Sequence, residues 1–281
     1  MYELTHKFRD SRIYPVLRRA IRAAEKGIKR IININRFKPG RAEIQKYKNF
    51  YAGKRCFIIG NGPSLTIKDL DTLRIHNEIS IASNSIYNLF DATEWRPNIY
   101  AVHDFLEIRK THEKISAVKA DLKIVGISAT GRFYDIDGAI VLRLIDPEKD
   151  TIHFSDDISR CVYDGGTVTY FSIQCAAYMG FKQIILLGVD HSFARERTKD
   201  GKITVNDSVK NHFQKYQTDD FWGSGQKDEE AVVFPVDFAT EAFITAKHYA
   251  DEHGIEILNA TRGGKLEVFR RVEFDMLFEA E

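Results

Sequence analysis

The sequence predicts an α/β fold, a Rossmann-like and mainly parallel sheet with helices on both faces, preceded by a basic amphipathic N-terminal helix. From about residue 54, short apolar runs alternate with segments of helical periodicity. The apolar run from Phe57 to Ile59 ends in a glycine turn before a helix start. Residues 1–55 carry 16 Lys and Arg against 4 Asp and Glu. With 281 residues, the chain can bury one large core.

The alternation gives a definite order of elements. Strands are predicted at residues 55–60, 79–83, 98–103, 122–127, 139–144, 183–189 and 255–258. Helices are predicted at residues 66–74, 105–117, 168–179 and 238–253. Residues 191–236 interrupt the pattern, and their polar, aromatic-bearing composition favours a lid-like insertion. We therefore divide the chain into a basic arm, residues 1–47, and a Rossmann-like domain, residues 48–281, with the insertion at residues 191–236.

The basic arm has the pattern of an amphipathic helix that ends near Pro39-Gly40. Its apolar stripe consists of Ile13, Leu17, Ile21, Ala24, Ile28 and Ile31. A helix of this kind can lie on an anionic membrane surface, where each basic residue contributes about 1 kcal/mol. Residues 10–36 are the predicted membrane contact. The alternative is that the stripe packs against the body or against a second copy in a homo-oligomer.

Several classes of protein are disfavoured by composition. No apolar stretch is long enough to span a bilayer, and the N-terminus lacks a signal-peptide core. Three scattered cysteines form no zinc or redox spacing, which favours a reducing cytoplasm. Residues 56–281 carry 25 Lys and Arg against 36 Asp and Glu, so this part of the chain is acidic. It offers no extended basic groove, and no nucleic acid partner is expected. No metal-ligand spacing such as His-x-x-x-His occurs, so no metal site is predicted.

The glycine turn after the first strand is a candidate phosphate site, formed by Gly60, Asn61, Gly62, Pro63 and Ser64. Its glycines allow close approach of a ligand to the backbone, and the N-terminus of the following helix favours negative charge. The spacing fits neither the G-x-G-x-x-G nor the Walker pattern. A plain strand-to-helix turn is the alternative.

Polar residues follow the other predicted strands as well. They are Asn84, His103, Asp104, Asp190 and His191. A second possible anion site is the helix start at Gly165, Gly166 and Thr167. Because the carboxyl ends of parallel strands meet at one edge of a sheet, these residues are expected to form a single site. Each of them could also be a turn, capping or structural residue.

The segment from Ile58 to Leu65, Ile-Ile-Gly-Asn-Gly-Pro-Ser-Leu, resembles the opening strand and loop of bacterial sialyltransferases of glycosyltransferase family 42. The segment from Thr167 to Asp190 is similar to their later helix and strand, which end in Gly-hydrophobic-Asp. A broader family shares both segments and an ending like Asn259–Gly264, and it includes 6-hydroxymethylpterin diphosphokinase MptE-like proteins and flagellin glycosylation accessory factors. The resemblance covers residues 54–275.

The resemblance implies roles for particular residues. The CMP part of a donor would be held by Asn61, Gly62 and Asn84, and Thr167 would also contact the donor. The family's catalytic His lies in the lid segment, where His212 is the nearest candidate here. This chain departs from the family in three places. His103-Asp104 replaces an Asn, Val168 replaces a Ser, and the tyrosines after the Gly-hydrophobic-Asp strand are not matched by His191-Ser192.

Together with the resemblance, which implies the CMP-linked donor, these observations predict a metal-independent glycosyltransferase of cell-surface polysaccharide or glycoconjugate biosynthesis. It would need no cofactor and would act on a glycan or glycolipid acceptor at the inner face of the cytoplasmic membrane. The predicted catalytic residues are His212, Asp190 and His191. The predicted nucleotide-binding residues are Gly60, Asn61, Gly62, Pro63, Ser64, Asn84, His103, Asp104, Gly166 and Thr167. One alternative is a diphosphokinase that holds Mg²⁺ and ATP through Asp104, Asp164 and Asp190. Another is a non-catalytic nucleotide-binding accessory protein.

Overall fold

The computed structural model describes residues 35–147, 151–193, 195–198, 200–205 and 234–279. The chain divides into two compact units, Met1–Pro39 and Gly40–Glu281. In the first unit, residues 35–39 are described and are helical. The apolar stripe of the basic arm, from Ile13 to Ile31, lies outside the described residues, as do most of the predicted membrane-contact residues 10–36.

Eleven strands are described in the second unit. They are β1 (Arg55–Ile59), β2 (Ser80–Ser83), β3 (Ile99–Val102), β4 (Leu122–Ser128), β5 (Ala139–Ile145), β6 (Val162–Tyr163), β7 (Gln183–Leu187), β8 (Arg195–Arg197), β9 (Ile203–Val205), β10 (Glu256–Asn259) and β11 (Arg270–Arg271). Nine of them form one sheet in the order β11-β10-β7-β1-β2-β3-β4-β5-β6, and every paired strand is parallel. The predicted α/β fold with a parallel sheet is confirmed.

The described residues contain five α-helices. They are α1 (residues 35–45), α2 (Ile67–Ile75), α3 (Phe105–Ala117), α4 (Val168–Tyr178) and α5 (Val236–His253). Short 3-10 helices cover Asn84–Leu89 and Asp275–Leu277. The four helices predicted within residues 48–281 are confirmed. The sequence missed β6, β11 and the antiparallel hairpin β8–β9, because strands of two or three residues are too short to show a periodicity.

The prediction that the N-terminal helix ends near Pro39-Gly40 is wrong, because both residues are helical within α1. A proline removes only one helical hydrogen bond, so it does not always end a helix. Gly40 has a different purpose in the structure. A Cβ at this position would overlap the backbone carbonyl of Val141 on β5, so glycine is needed for close contact.

Both faces of the sheet are covered, and the strand β1 shows how. Cys56 and Ile58 belong to one buried cluster that includes Ile173 of α4. Phe57 points to the other face, where its ring lies 6.1 Å from Phe274 and 5.9 Å from Phe278. Burial on both faces accounts for the nearly continuous apolar sequence of β1.

The order of the strands places a crevice at the carboxyl end of β1. The chain runs outward from β1 through β6 and then returns to β7 on the opposite side of β1. In open α/β sheets, ligands bind outside the carboxyl ends of the strands at such a reversal. The loops at this point are residues 60–64 after β1 and residues 188–191 after β7. The hairpin β8–β9 begins the predicted insertion, whose residues 206–233, His212 among them, lie outside the described residues.

Candidate functional site

Three adjacent strands, β1 to β3, are each followed by a polar side chain that has an unsatisfied atom. At this edge, Oδ1 of Asn61, Oδ1 of Asn84 and Nε2 of His103 are buried without a hydrogen-bond partner. An unpaired buried polar atom costs about 1–3 kcal/mol, so folded proteins contain few of them. Three at one sheet edge indicate that this edge is built to receive a ligand.

The amide of Asn61 has a defined orientation. Its Nδ2 donates a hydrogen bond of 3.0 Å to the backbone carbonyl of Ser83 at the end of β2. Because the nitrogen faces a carbonyl oxygen, Oδ1 is the atom that remains unpaired. Asn84, which directly follows Ser83 in the chain, has a left-handed φ of 49°. Its own carbonyl accepts a hydrogen bond of 2.7 Å from the buried hydroxyl of Tyr100.

A buried carboxyl group, Glu107, supports the segment that carries Asn84. Glu107 is 1% exposed, and its Oε1 accepts hydrogen bonds from Ser85 Oγ at 2.6 Å and Tyr87 Oη at 3.0 Å. Burial raises the pKa of Glu107, although the bonds from Ser85 and Tyr87 oppose the shift. The sequence analysis missed this residue, because a Glu in the first turn of a helix has the pattern of an ordinary exposed position.

The loop after β1 is packed directly against the loop after β7. A Cβ at Gly60 would overlap the carbonyl of Gly188, and a Cβ at Gly62 would overlap the carboxylate of Asp190. Ser64 Oγ donates a hydrogen bond of 2.7 Å to Oδ2 of Asp190. Burial raises the pKa of Asp190, and the bonds from Ser64 partly offset that rise. The glycines of this loop therefore make room for Asp190 at the strand reversal.

The predicted phosphate-binding role of this loop depends on free backbone N–H groups, and several of these groups are already paired in the structure. The role stays a prediction. The N–H groups of Gly62 and Leu65 donate to backbone carbonyls, at 2.8 and 3.2 Å. The N–H of Ser64 points to Asp190 at 3.4 Å, and the N–H of Thr66 donates to Asp69 at 2.9 Å. These donors are used in hydrogen bonds within the protein. Pro63 has no N–H and is exposed.

The N-terminus of α2 is also already satisfied. Thr66 and Asp69 form a capping box, in which each side chain accepts a hydrogen bond from the other's backbone N–H. Arg262 Nη1 binds both carboxylate oxygens of Asp69 at 2.8 Å. This ion pair ties the segment after β10 to the start of α2. The negative charge that the helix dipole favours at this end is therefore supplied by Asp69 of the protein itself.

The second predicted anion site, at the N-terminus of α4, is less fully occupied by internal bonds. Gly166 has a left-handed φ of 74°, and its N–H donates a bond of 2.8 Å to Oδ1 of Asp164. Thr167 is the N-cap, and its hydroxyl accepts a long bond of 3.3 Å from the N–H of Thr169. The helix dipole favours an anion at this end, so a leaving phosphate could be bound here.

His103 connects this helix start to the unsatisfied side chains after β1 and β2. Its Nε2 lies 4.0 Å from Oδ1 of Asp164, and its ring centroid lies 5.4 Å from that of Phe171 in α4. The neighbouring Asp104 has a capping function, because its Oδ1 accepts bonds from the N–H groups of Leu106 and Glu107 at 2.7 and 3.1 Å. Nucleotide contact by Asp104 stays a prediction.

The structure ties His191, a predicted catalytic residue, to helix α5. Thr240 Oγ1 lies 2.7 Å from Nε2 of His191 and donates its own hydrogen to the carbonyl of Val236 at 2.9 Å. Nε2 must therefore be the donor in the bond to Thr240. Burial lowers the pKa of His191, which favours the neutral ring. His212, the predicted base, lies outside the described residues.

The carboxylates named for the diphosphokinase alternative each have internal hydrogen-bond partners. Asp104 caps α3, Asp164 binds the Gly166 N–H, and Asp190 binds Ser64. Within the described ranges, no group of three or more His, Cys, Asp or Glu residues could hold a metal ion. These side chains do not form a Mg²⁺ site as they stand.

Among the helices that the structure describes, none is both long and apolar enough to cross a membrane.

Comparison with known proteins gives three findings. No curated protein matches the sequence. A solved structure, "Structure of MAf glycosyltransferase from Magnetospirillum magneticum AMB-1", is similar with a TM-score of 0.47 and 16% sequence identity. That similarity covers 85% of this chain and 38% of the other, so this chain spans about two fifths of that protein's length.

A family model, 6-hydroxymethylpterin diphosphokinase MptE-like, matches residues 29–196. The match includes the strands β1 to β7, the loops with Asn61, Asn84 and His103, and the start of α4. It covers more than half of the chain, and the sequence-based resemblance to this family is confirmed. The chain belongs to the 6-hydroxymethylpterin diphosphokinase MptE-like family.

Proposed function

We propose that the protein is a nucleotide-dependent transferase that moves a sugar from a CMP-linked donor to a hydroxyl of a glycan or glycolipid acceptor, without a metal cofactor. The observation that carries the proposal is the pair of buried, unpaired amide oxygens on Asn61 and Asn84. Both are acceptors, so a ligand must supply hydrogen-bond donors. Ribose hydroxyls and the amino group of cytosine are such donors.

The phosphate end of the donor would lie toward α4. The helix start at Gly166 and Thr167 offers a positive dipole end and lies beside His103. A phosphate bound there would be stabilised as it leaves, which is where electrostatic stabilisation raises the rate. The likeness of the Ile58–Leu65 segment to bacterial sialyltransferases is the reason for choosing cytidine among the nucleosides.

The transfer also requires a base to take the acceptor proton. His212 was predicted for this role from the sequence, and it stays a candidate. His191 stays a second candidate, because its Nε2 donates to Thr240 and the lone pair of the neutral ring is then on Nδ1. Asp190 lies at the strand reversal, where it orients Ser64.

A thermal-shift panel of CMP, CDP, UDP, GDP and ATP, each with and without Mg²⁺, tests the proposal on the full chain. CMP should raise the melting temperature without added metal, because a ligand that binds only the folded state stabilises it. Release of CMP from CMP-N-acetylneuraminic acid would then separate an enzyme from a non-catalytic accessory protein. Stabilisation by UDP or GDP alone would refute the choice of cytidine.

The second candidate is an ATP-dependent diphosphokinase, which the description of the matching family favours. Pyrophosphoryl transfer usually requires Mg²⁺ and carboxylates to hold it. Asp104, Asp164 and Asp190 would have to give up their present hydrogen bonds to do so. Stabilisation by ATP with Mg²⁺ but not by CMP would support this candidate against the first.

We also propose that the basic arm holds the enzyme at an anionic membrane surface, where a lipid-linked acceptor would be available. The support is the excess of 16 Lys and Arg over 4 Asp and Glu in residues 1–55. Basic residues near an anionic surface contribute about 1 kcal/mol each, and salt weakens the effect. Packing of the apolar stripe against a second copy remains the alternative.

A further inference from the structure

A cleft opens beside His103 at the carboxyl ends of β5 and β6, outside the nucleotide-binding edge formed by β1 to β3. Its volume is about 270 Å³. It is lined by Ile145, Asp146, Pro147, Thr151, His153, Cys161, Tyr163 and Asp164. The volume is close to the lower end of the range for small-ligand sites, about 300–1,000 Å³, and suits one sugar ring.

We propose that this cleft binds the acceptor, a hydroxyl-rich saccharide, and that His103, positioned by Asp164, is the base that takes the proton of the acceptor hydroxyl. This inference rests on the proposed function, because it supplies the second substrate of the same reaction.

The lining of the cleft suits a saccharide. Asp146 and Asp164 present carboxylate oxygens, which accept hydrogen bonds from hydroxyl groups. The rings of His153 and Tyr163 lie 5.3 Å apart and give an apolar platform for one face of a sugar ring. Burial and the charge of Asp164 raise the pKa of Asp146, whereas His103 lowers it. The two carboxylates and His103 therefore lie close enough to interact.

His103 is placed between the cleft and the nucleotide edge. Its side chain is 10% exposed, and Nε2 has no hydrogen-bond partner. The nearest acid is Asp164, a cleft residue, whose Oδ1 lies 4.0 Å from Nε2. Catalytic hydrogen bonds are often long before substrate binds. If Oδ1 of Asp164 came within hydrogen-bond distance of Nε2, it would stabilise the tautomer that carries hydrogen on Nε2. The lone pair on Nδ1 would then be free to act as the base.

The reaction balances with the two substrates alone. The acceptor oxygen forms a bond to the anomeric carbon of the donor sugar, and its proton passes to Nδ1 of His103. The bond between that carbon and the phosphate oxygen breaks, and CMP leaves with the electron pair. Asp164 takes no part in these bond changes. It lines the cleft and positions His103.

The test of the base uses the full chain, CMP-N-acetylneuraminic acid as donor, and CMP release as the readout. His103→Asn should lower kcat about 10²–10⁴-fold, the usual contribution of a general base. The shift in melting temperature caused by CMP should be retained, which shows that the variant is folded. Imidazole in solution should restore part of the turnover to His103→Ala, an effect that a structural role would not give.

Asp164→Asn keeps an oxygen that can accept from the Gly166 N–H but removes the charge facing His103. It should lower kcat while the KM for the donor stays nearly unchanged. The matched controls are His248→Asn and Asp251→Asn on the exposed face of α5, and both should retain wild-type turnover. His212→Ala distinguishes the two candidate bases. A large loss there with full activity in His103→Asn would overturn the inference.

The cleft is tested through Cys161, which lines it, whereas Cys56 and Cys175 are fully buried. A panel of methyl glycosides should slow alkylation of Cys161 by iodoacetamide. Asp146→Asn should weaken this protection and raise the KM for the acceptor.

Failure of the inference and failure of the proposed function give different results. A wild-type protein that turns over the donor, with His103→Asn equally active, would refute the inference alone. No protection of Cys161 by any glycoside would refute the cleft as the acceptor site. A wild-type protein that neither binds CMP nor cleaves the donor would refute the proposed function, and the inference with it.

Discussion

Replacing Asn61 by alanine should separate stability from ligand binding. The variant loses the hydrogen bond from Nδ2 to the Ser83 carbonyl, which has a net value of about 0.5–1.5 kcal/mol. It also removes a buried acceptor without a partner, which costs about 1–3 kcal/mol in the wild type. Because the two effects oppose each other, we expect the free energy of unfolding without ligand to change by less than about 1 kcal/mol.

Binding should respond differently, because a ligand donor would pair with the lost oxygen. Loss of a buried hydrogen bond weakens binding by about 1–3 kcal/mol, or 5–150-fold in Kd. At a CMP concentration of about 100 times the wild-type Kd, binding stabilises the folded protein by about 2.7 kcal/mol. A 10-fold weaker Kd reduces this to about 1.4 kcal/mol and a 100-fold weaker Kd to about 0.4 kcal/mol.

The assay is thermal unfolding with and without CMP. For a domain of this size, 1 kcal/mol corresponds to about 2–4 °C, so the CMP-induced shift should fall from about 5–11 °C to about 1–6 °C. Asn98→Ala is the matched control, since both polar atoms of Asn98 are paired, to Ser80 N at 3.0 Å and Asp121 at 3.1 Å. It should lower the melting temperature and keep the CMP shift. An unchanged CMP shift in Asn61→Ala would refute this reasoning.

Three further predictions follow from other contacts. Gly62→Ala places a Cβ against the carboxylate of Asp190 and should destabilise the fold by about 1–3 kcal/mol in urea unfolding; part of this should return in Gly62→Ala/Asp190→Ala, and strict additivity would contradict the clash. Burial raises the pKa of Glu107 in the folded state, so its contribution to stability is full below the unfolded pKa, about 4.3, and is lost as pH rises through the folded pKa. Glu107→Gln does not titrate, so its melting temperature should rise relative to wild type as pH increases from about 4 to 7; a constant difference would show that the buried carboxyl is not the cause. The full chain should float with anionic vesicles and dissociate with salt, whereas a chain beginning at Tyr47 should not float and should keep CMP binding; if neither floats and only the full chain is oligomeric, the arm is an assembly element.

Local pattern was enough to determine the architecture of this protein. The apolar run at Phe57–Ile59 predicts a buried strand, and the glycine turn after it predicts where that strand ends. Both features depend only on residues that are neighbours in the sequence. The helices α2 to α5 follow from their periodicity. Since the strands are parallel, the same pattern also predicted which edge carries Asn61, Asn84 and His103.

Only the tertiary structure decided how these residues are used. The N–H of Ser64 is directed to Asp190, 126 residues away, so this donor of the predicted phosphate loop is already paired within the protein. Gly40 contacts β5 instead of ending α1, and Glu107 is buried under Asn84 although its position suggested an exposed first turn. The cleft at β5 and β6 was not foreseen. Sequence periodicity records which side of an element is apolar, whereas the pairing of a polar atom depends on a partner that folding brings from a distant part of the chain.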